Sequence, residues 1–503
     1  MVTAGQGTGA EGSLFARASP LMAARLASAA VTFFIPLVLA RTLRLAEYGT
    51  YKQFLLIAQT LYYTLPLGVP QALYYFVPRA EQRRPYFVQT LGFLLAAGAV
   101  AGAVILSLGG PIAHFFSNPE LYRHRWSLAL YVFGLIGSFP LEVSLTSSGR
   151  TRHAAVAYLV SDGVRAVAMT VPALLGFGVT GVMVCLAAFA LARQVVTCVL
   201  VVRSSRGPWW RRGLFFEQLA YAAPFGAAVA IAIPQQYAHQ YAVSALVSPE
   251  AFALYAVGCF QLPFIDLLYT PTSEVLMVRL GELDRAGRKA EGVRLFRKAS
   301  AALALAVLPV AVFFFGAAPD VIAALFGDRF VSAAPLFRIG LAAVVLAALP
   351  VDAVLRACGH TRHILLANAL KAVVTVPLLW FGVKTFGMRG ALASWVVVEY
   401  FGKAVLLAKV PRALGEGDQR ARFGDLLPLS EMGRALVGVA FAAAGVVGLR
   451  AAMHPALGWM PNGHAARVVA LAAAGLAFGT AYLVALRWAG LRLSPSMFDR
   501  RPA

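Results

Sequence analysis

Charged residues are scarce in this sequence, and their scarcity argues against a soluble fold. Only 13% of the 503 residues are Asp, Glu, Lys or Arg, whereas a soluble domain carries about 25%. Hydrophobic residues make up 60% of the chain, and the mean hydropathy is +0.72. Apolar stretches of about 20 residues recur along the whole length, and each is long enough to cross a bilayer as a helix. The sequence therefore predicts an all-α polytopic membrane protein.

Cysteine is rarer still, with four residues in the whole chain. All four lie in apolar segments without CxxC spacing, so we interpret them as small buried hydrophobic residues rather than as disulfide partners or metal ligands. Nucleotide-binding P-loop and zinc motifs are also missing. The sequence therefore predicts no metal, no cofactor and no enzymatic activity. The four cysteines are Cys185, Cys198, Cys259 and Cys358.

Acidic residues are half as numerous as basic ones, 22 against 44, which gives a formal net charge of +22. In a soluble protein this excess would suggest a nucleic-acid partner, but Lys and Arg also accumulate in the cytoplasmic loops of membrane proteins. With the N-terminus placed in the cytoplasm, the loops on that side hold roughly three times as many Lys and Arg as the opposite loops. We therefore predict a protein of the cell inner membrane with both termini in the cytoplasm and no nucleic-acid partner.

The apolar segments number about 14 and have short connections, so no extramembrane part is large enough to fold alone. The predicted domains follow from these segments and from the charged stretches between them. They are a cytoplasmic tail (1–18), an N lobe of six helices (19–202), a cytoplasmic linker (203–216), a C lobe of six helices (217–409), a cytoplasmic loop (410–432), helices 13 and 14 (433–488) and a second cytoplasmic tail (489–503).

One short sequence motif occurs twice in similar form. FPLEVSLTSSGRTRH, residues 139–153, is closely matched by LPVDAVLRACGHTRH, residues 349–363. In both copies we expect the glycine before the basic residues, Gly149 or Gly359, to end a helix in the left-handed conformation. The segments before and after this motif also overlay, so the sequence predicts two parallel six-helix repeats that form N and C lobes around a central cavity. The last two helices lie outside the repeat.

The stretch LARTLRLAEYGTYKQFLLIAQTLYYTLPLGVPQALYYFVPR, residues 39–79, resembles the opening signature of the Wzx-type polysaccharide flippases. This family belongs to the multidrug/oligosaccharidyl-lipid/polysaccharide exporter superfamily. The resemblance extends over roughly residues 14–410, and one departure is that QQYAHQY, residues 235–241, stands where members often show an Asp–Arg pair. The residues of the opening signature that carry the resemblance are Leu43, Glu47, Tyr48, Gly49, Tyr51, Gly68 and Arg79.

The resemblance implies a flippase that moves a polyprenyl-diphosphate-linked oligosaccharide from the cytoplasmic to the periplasmic leaflet by alternating access. Such a protein serves the biosynthesis of cell-surface polysaccharides such as lipopolysaccharide. Its implied partners are the lipid-linked oligosaccharide, membrane lipids and other polysaccharide-assembly proteins. One alternative is a cation-coupled multidrug antiporter on the same fold, for which acidic cavity residues would be expected. Another is a membrane glycan polymerase or glycosyltransferase, which the short outward loops disfavour.

Polar residues inside predicted spans are costly, so they are candidates for the site. Arg25 has no acidic residue in its own span, and it either contacts a diphosphate or reaches back to the interface. Lys371 either pairs with Asp352 or Glu399 or contacts anionic cargo. The predicted substrate-binding residues are Arg25, Arg165, Lys371, Tyr62, Tyr63, Gln235, Gln236 and His239.

Four acidic residues are predicted to act in coupling or gating. Asp162 has a cation, Arg165, three positions along the same helix, and Asp352 has Arg356 at four positions. Glu142 has no such local cation, so we expect it to be the acid most free to act at the inner gate. The predicted coupling and gating residues are Glu142, Asp162, Asp352 and Asp266.

Overall fold

The computed structural model describes residues 27–203, 207–415, 421–457 and 464–488. Over these ranges the chain is helical apart from short turns, and no strand occurs in them. Nine helical stretches in these ranges are long and apolar enough to cross a membrane, or ten if one bent pair counts as a single span. The predicted all-α polytopic fold is confirmed, whereas the total of 14 spans, the repeat and the domain limits remain predictions.

The chain divides into two compact units, Met1–Ala253 and Leu254–Ala503. Helix α12 crosses the limit between them. The helices of the first unit, with α12, are α1 Ala27–Thr42, α2 Leu45–Thr64, α3 Val69–Phe76, α4 Arg84–Ser107, α5 Gly109–Phe115, α6 Pro119–Arg123, α7 Arg125–Gly137, α8 Pro140–Ser147, α9 Thr151–Leu174, α10 Gly178–Arg203, α11 Arg212–Leu246 and α12 Pro249–Gly258.

The second unit is built of ten further helices and two 3-10 turns, Asp328–Ala333 and Val345–Ala348. The ten helices are α13 Pro263–Arg285, α14 Lys289–Gly316, α15 Ala318–Phe326, α16 Ala334–Val344, α17 Val351–Ala357, α18 Thr361–Leu407, α19 Val410–Ala413, α20 Phe423–Leu426, α21 Leu429–Leu457 and α22 His464–Trp488.

Several apolar stretches are broken where proline interrupts the helix. Proline lacks an N–H group, and its ring clashes with the preceding turn, so it favours the start of a new helix. Helix α8 begins at Pro140, directly after α7, and α13 begins at Pro263 after a bend of 44° from α12. The break between α2 and α3 contains Gly68, which has a φ of +75°.

The two copies of the repeated motif have the same local structure. Gly149 has a φ of +77° and Gly359 a φ of +73°, which confirms the predicted left-handed turns. In the first copy the N–H of Arg150 donates to the carbonyl of Leu145 at 2.9 Å, as expected for this type of helix end. The N–H of His360 makes the equivalent 2.7 Å bond in the second copy. Each copy therefore ends one helix and starts another.

A glycine brings α7 and α10 into backbone contact in the first unit. A Cβ added at Gly134 would lie 2.6 Å from the carbonyl carbon of Ala190, so a larger residue would separate the helices. One turn further along each helix, this close approach places Ser138 next to Arg193. The backbone packing thus positions the basic residue that dominates the candidate site.

Helix α18 consists of two halves on either side of Gly387, which has a φ of +58°. The halves run antiparallel, because a Cβ added at Gly382 would lie 2.6 Å from the carbonyl oxygen of Gly390. Further from the kink, the hydroxyl of Ser394 donates to the carbonyl of Leu378 at 2.9 Å. This hairpin brings residues near 371 and 399 together.

Candidate functional site

Glu142 and Arg193 form a buried ion pair in the first unit. Oε1 of Glu142 lies 2.5 Å from Nη2 of Arg193, and the two side chains are only 8% and 13% exposed. The other terminal nitrogen of Arg193 donates to the hydroxyl of Ser138 at 3.0 Å. The prediction that Glu142 is free is therefore wrong, because its partner comes from α10 rather than from its own helix.

Asp162 and Arg165 form a second ion pair on α9. Their Oδ1 and Nη2 atoms are 2.8 Å apart, which confirms the pairing that their three-residue spacing predicts. Two residues of α1 complete the arrangement. The hydroxyl of Ser28 donates to the carboxylate of Asp162, and Arg165 donates to the hydroxyl of Thr32 at 2.9 Å.

These two ion pairs belong to one cluster. Arg193 interacts electrostatically with Asp162 as well as with Glu142. Tyr62 interacts with both Arg193 and Glu142, and its ring centroid lies 4.8 Å from that of Phe139. The two acids and two arginines balance formally, so the cluster can hold four charges inside the unit without a net charge.

The predicted tyrosine wall and the polar face of α11 are only partly buried. Tyr63 is exposed although Tyr62 beside it is half-buried. On α11, Gln235 and His239 are both buried and stand four residues apart, so they share one face. Gln236 points to the exposed side of the same helix. The structure thus separates Gln236 from the two α11 residues with which it was grouped.

Lys371 is paired with Glu399 across the α18 hairpin of the second unit. Nζ of Lys371 lies 2.6 Å from Oε1 and 2.7 Å from Oε2 of Glu399. The stem of Lys371 packs on Gly402, where an added Cβ would lie 2.4 Å from Cδ of the lysine. Of the two carboxylates considered from the sequence, Glu399 is the one that holds Lys371.

Asp352 lies in the first turn of α17 and has two partners. The hydroxyl of Tyr269 donates to its Oδ1, and Nη2 of Arg356 lies 3.6 Å from its Oδ2. Lys403 interacts electrostatically with Asp352 and Glu399, and its Nζ lies 5.7 Å from the centre of the Tyr269 ring. Asp352 and the Lys371–Glu399 pair are therefore linked through a lysine of α18.

Lys403 and Tyr269 were missed by the sequence analysis. Lys403 lies six residues before the predicted end of the C lobe at residue 409, where a lysine is expected to belong with the charges of the following cytoplasmic loop. A usable signal was present, because Lys403 follows Glu399 by four residues and therefore lies on the same helix face. Tyr269 gives no comparable signal, since its contact with Asp352 joins residues distant in sequence.

Three of the predicted acids start a helix that follows a break. Glu142, Asp352 and Asp266 lie in the first turns of α8, α17 and α13, respectively. A carboxylate is favoured there because the unpaired N–H groups give a helix N-terminus a partial positive charge. Asp266 differs from the other two in being exposed.

Two further predictions concern Arg25, in the first predicted span, and the absence of a metal site. Arg25 lies outside the residues that the structure describes. Among the described residues, no group of three or more His, Cys, Asp or Glu side chains is arranged to hold a metal ion. The candidate site therefore consists of the two charge clusters, one in each unit.

Long apolar helices with charged pairs inside the spans define a polytopic membrane protein. The fold is similar to that of the lipid II flippase MurJ in an inward closed conformation, with a TM-score of 0.70 and 10% identity. That match covers 93% of this chain and 99% of MurJ. The identity is low, so the likeness concerns the fold.

Transporters of the MOP superfamily share the fold more distantly. The Vibrio cholerae MATE transporter VcmN in its bent form matches with a TM-score of 0.51 and 12% identity, over 79% of this chain and 97% of that chain. A MOP superfamily transporter from Pyrococcus furiosus matches with a TM-score of 0.52 and 14% identity, over 79% and 94%.

The sequence comparisons identify the family. Residues 38–335 match the family model described as polysaccharide biosynthesis protein. This match spans more than half of the chain, so the chain belongs to the polysaccharide biosynthesis protein family. A comparison with curated protein sequences found no match.

Proposed function

We propose that this protein moves a polyprenyl-diphosphate-linked oligosaccharide from the cytoplasmic to the periplasmic leaflet of the inner membrane. Membership of the polysaccharide biosynthesis family and a flippase-like fold support this proposal. The observation that carries it is the first-unit cluster, in which Arg165 and Arg193 are held inside the spans by carboxylates. The proposed partners are the lipid-linked oligosaccharide, membrane lipids and other polysaccharide-assembly proteins.

The arginine pairs suit a diphosphate because phosphate oxygens offer the same geometry as a carboxylate to a guanidinium group. A diphosphate would replace Glu142 or Asp162 as the partner of the neighbouring arginine. Nε of Arg193 is buried and has no hydrogen-bond partner in the described part of the chain. It therefore has a spare donor for such an oxygen once the site opens.

Replacement of a carboxylate by the diphosphate also suggests how binding of the substrate is linked to opening of the unit. Removing one partner from a buried pair leaves an uncompensated charge, which costs about 3–5 kcal/mol. The pairs therefore hold the unit closed until an anion takes over the arginine. We assign Glu142 and Asp162 to this gating role. The linked groups Lys371, Glu399 and Asp352 have the corresponding role in the second unit.

Tyr62 and Tyr63 are proposed to contact the sugars. Their ring centroids are 5.1 Å apart, and tyrosine combines an apolar ring with a hydrogen-bonding hydroxyl. Gln235, Gln236 and His239 would add polar contacts from α11. Arg25 would contribute a further cation, and an Arg25→Ala variant tests this separately.

The proposal is tested by reconstituting the protein in liposomes that contain a fluorescent polyprenyl-diphosphate oligosaccharide. Head-group translocation is followed by quenching from outside. Arg193→Gln and Arg165→Gln are each expected to lower the rate at least tenfold. Arg123→Gln is the matched control, because Arg123 is 75% exposed and makes a surface ion pair with Glu120. If both arginine variants flip the lipid at the wild-type rate, the assignment of the cluster is wrong.

The antiporter alternative is tested in the same liposomes with a cationic dye and an imposed ion gradient. Asp162 is the reason to test the antiporter alternative, because a carboxylate inside a span is a group that can exchange a cation. Dye efflux that is lost in Asp162→Asn, without any translocation of the lipid-linked oligosaccharide, would establish the antiporter instead. Release of free glycan or of new glycosidic products would indicate the enzyme alternative.

A further inference from the structure

The second copy of the repeated motif meets another segment at one end of the second unit. Residues 357–364 and 406–414 adjoin there, because Cys358, Ile364 and Leu407 pack against the same apolar core. Basic side chains from both segments are brought together on the surface of this core. We call this group the basic end cluster, and it consists of His360, Arg362, His363, Lys409 and Arg412.

The members of the basic end cluster are close to one another, and none of the described carboxylates forms an ion pair with its lysine or arginines. The rings of His360 and His363 are 5.8 Å apart, and His363 interacts electrostatically with Arg362, Lys409 and Arg412. Within the described ranges, Arg362, Lys409 and Arg412 form no ion pair. Like charges repel one another here, so a bound anion would stabilise this end of the unit.

Two acids of the neighbouring elements are already engaged. Asp352 of α17 is paired with Arg356 at 3.6 Å. Asp284, which interacts electrostatically with Cys358, lies 3.9 Å from Nζ of Lys289. These two carboxylates are therefore committed elsewhere, which leaves the cations of the cluster available to an anion from outside the unit.

An exposed apolar stripe runs along α18 from the basic end cluster. It starts one turn after Arg362 and continues at intervals of three or four residues, so its members share one helix face. From Arg362 to its far end the stripe is about 27 Å long at 1.5 Å per residue, close to the roughly 30 Å of a bilayer's hydrocarbon core. Its residues are Leu366 (49% exposed), Leu370 (37%), Val373 (70%), Val376 (70%) and Trp380 (64%).

We propose that the basic end cluster binds the phosphate group of an anionic phospholipid, whose acyl chains lie along the α18 stripe. Basic residues beside membrane-spanning helices are well suited to anionic head groups, and arginine binds phosphate through two parallel hydrogen bonds. A soluble phosphate compound would use the same cations but not the stripe. The combination of head-group charge and chain-length apolar surface therefore favours a lipid.

The test uses the purified full-length protein in detergent micelles, and its readout is lipid binding by native mass spectrometry. Phosphatidylglycerol is compared with phosphatidylcholine, and inorganic pyrophosphate is added as a soluble competitor. We expect phosphatidylglycerol to bind at least tenfold more tightly than phosphatidylcholine. We also expect Arg362→Gln/Lys409→Gln/Arg412→Gln to lose at least tenfold in affinity for phosphatidylglycerol, since each cation contributes to attracting an anionic lipid.

The first copy of the motif supplies the matched control. Arg150 and Arg152 occupy the equivalent loop and are exposed, so Arg150→Gln/Arg152→Gln removes two cations from the same motif in the other unit. This variant is expected to bind phosphatidylglycerol as the wild type does. The single variant Arg412→Gln changes an exposed residue and is expected to lower the affinity for phosphatidylglycerol about fivefold. This variant decides the question if the triple variant does not fold.

Three outcomes would overturn the proposal. The first is equal binding of phosphatidylglycerol and phosphatidylcholine, which would mean that the head-group charge is not recognised. The second is wild-type affinity for phosphatidylglycerol in the triple and single variants. The third is full displacement of the lipid by an equal concentration of pyrophosphate, which would identify the cluster as a site for soluble phosphates.

Discussion

The carboxylate of Glu142 and the guanidinium of Arg193 lie 2.5 Å apart, although 51 positions separate them in the sequence. Glu142 lies in the first turn of the half-helix α8, and Arg193 projects from α10 where glycine brings α7 and α10 together. The pair therefore joins a broken span to an unbroken one. Any movement of α8 relative to α10 has to separate these charges or carry both of them.

The first prediction concerns this pair. Arg193→Met is expected to destabilise the protein by about 3–5 kcal/mol, because it leaves Glu142 buried and uncompensated. The double variant Glu142→Leu/Arg193→Met removes both charges and should recover most of this loss. The measurement is the free energy of unfolding in micelles. Equal losses in the single and double variants would show that the pair is not what holds the two helices together.

The second prediction concerns Gly402, on which the stem of Lys371 packs. Gly402→Ala places a methyl group 2.4 Å from Cδ of Lys371, so the lysine has to shift away from Glu399. We expect a lower thermal midpoint and slower transport. Gly479→Ala is the control, because an added Cβ there meets nothing within 4 Å. As a glycine-to-alanine change inside a helix, it is expected to be neutral or slightly stabilising.

The third prediction concerns a buried polar network in the first unit. The amide of Asn118 donates to Thr50 at 2.9 Å and to Gln53 at 2.5 Å, and Gln53 donates to Ser244 at 2.8 Å. Asn118→Leu removes the donor to Thr50 and to the side-chain oxygen of Gln53, and it is expected to cost about 1–3 kcal/mol. The exposed hydroxyl of Ser107 bonds only within its own helix. Ser107→Ala should therefore leave the unfolding free energy unchanged.

The fourth prediction concerns pH. His124 is buried just before α7, and burial lowers its pKa below the ordinary 6.5, although Glu120 opposes this shift. The folded state therefore holds the proton less tightly than the unfolded chain does. Its contribution to stability is complete above pH 6.5 and is lost as the pH falls through the lower folded-state pKa. Between pH 7.5 and 5, the thermal midpoint of the wild type should fall further than that of His124→Asn.

The sequence predicted the membrane fold and the local geometry, because both depend on near neighbours. Apolar runs reveal spans, and the spacing of Asp162 and Arg165 places them on one helix face. The glycines of the repeated motif likewise revealed two helix ends. The pairing of Glu142 could not be predicted, because it depends on how closely α7 and α10 approach. Long-range contacts of this kind are set by packing rather than by sequence spacing.

The charge pairs also determine how the protein responds to the membrane potential. A carboxylate and a guanidinium that move together carry no net charge, so their joint displacement requires almost no electrical work. Separating Glu142 from Arg193 along the membrane normal is different, because moving one elementary charge through the field is worth about 2.3 kcal/mol per 100 mV. A transport cycle that keeps the pair intact would add no voltage dependence to that of the charged cargo, whereas one that breaks the pair would add a further dependence on the energised state of the membrane.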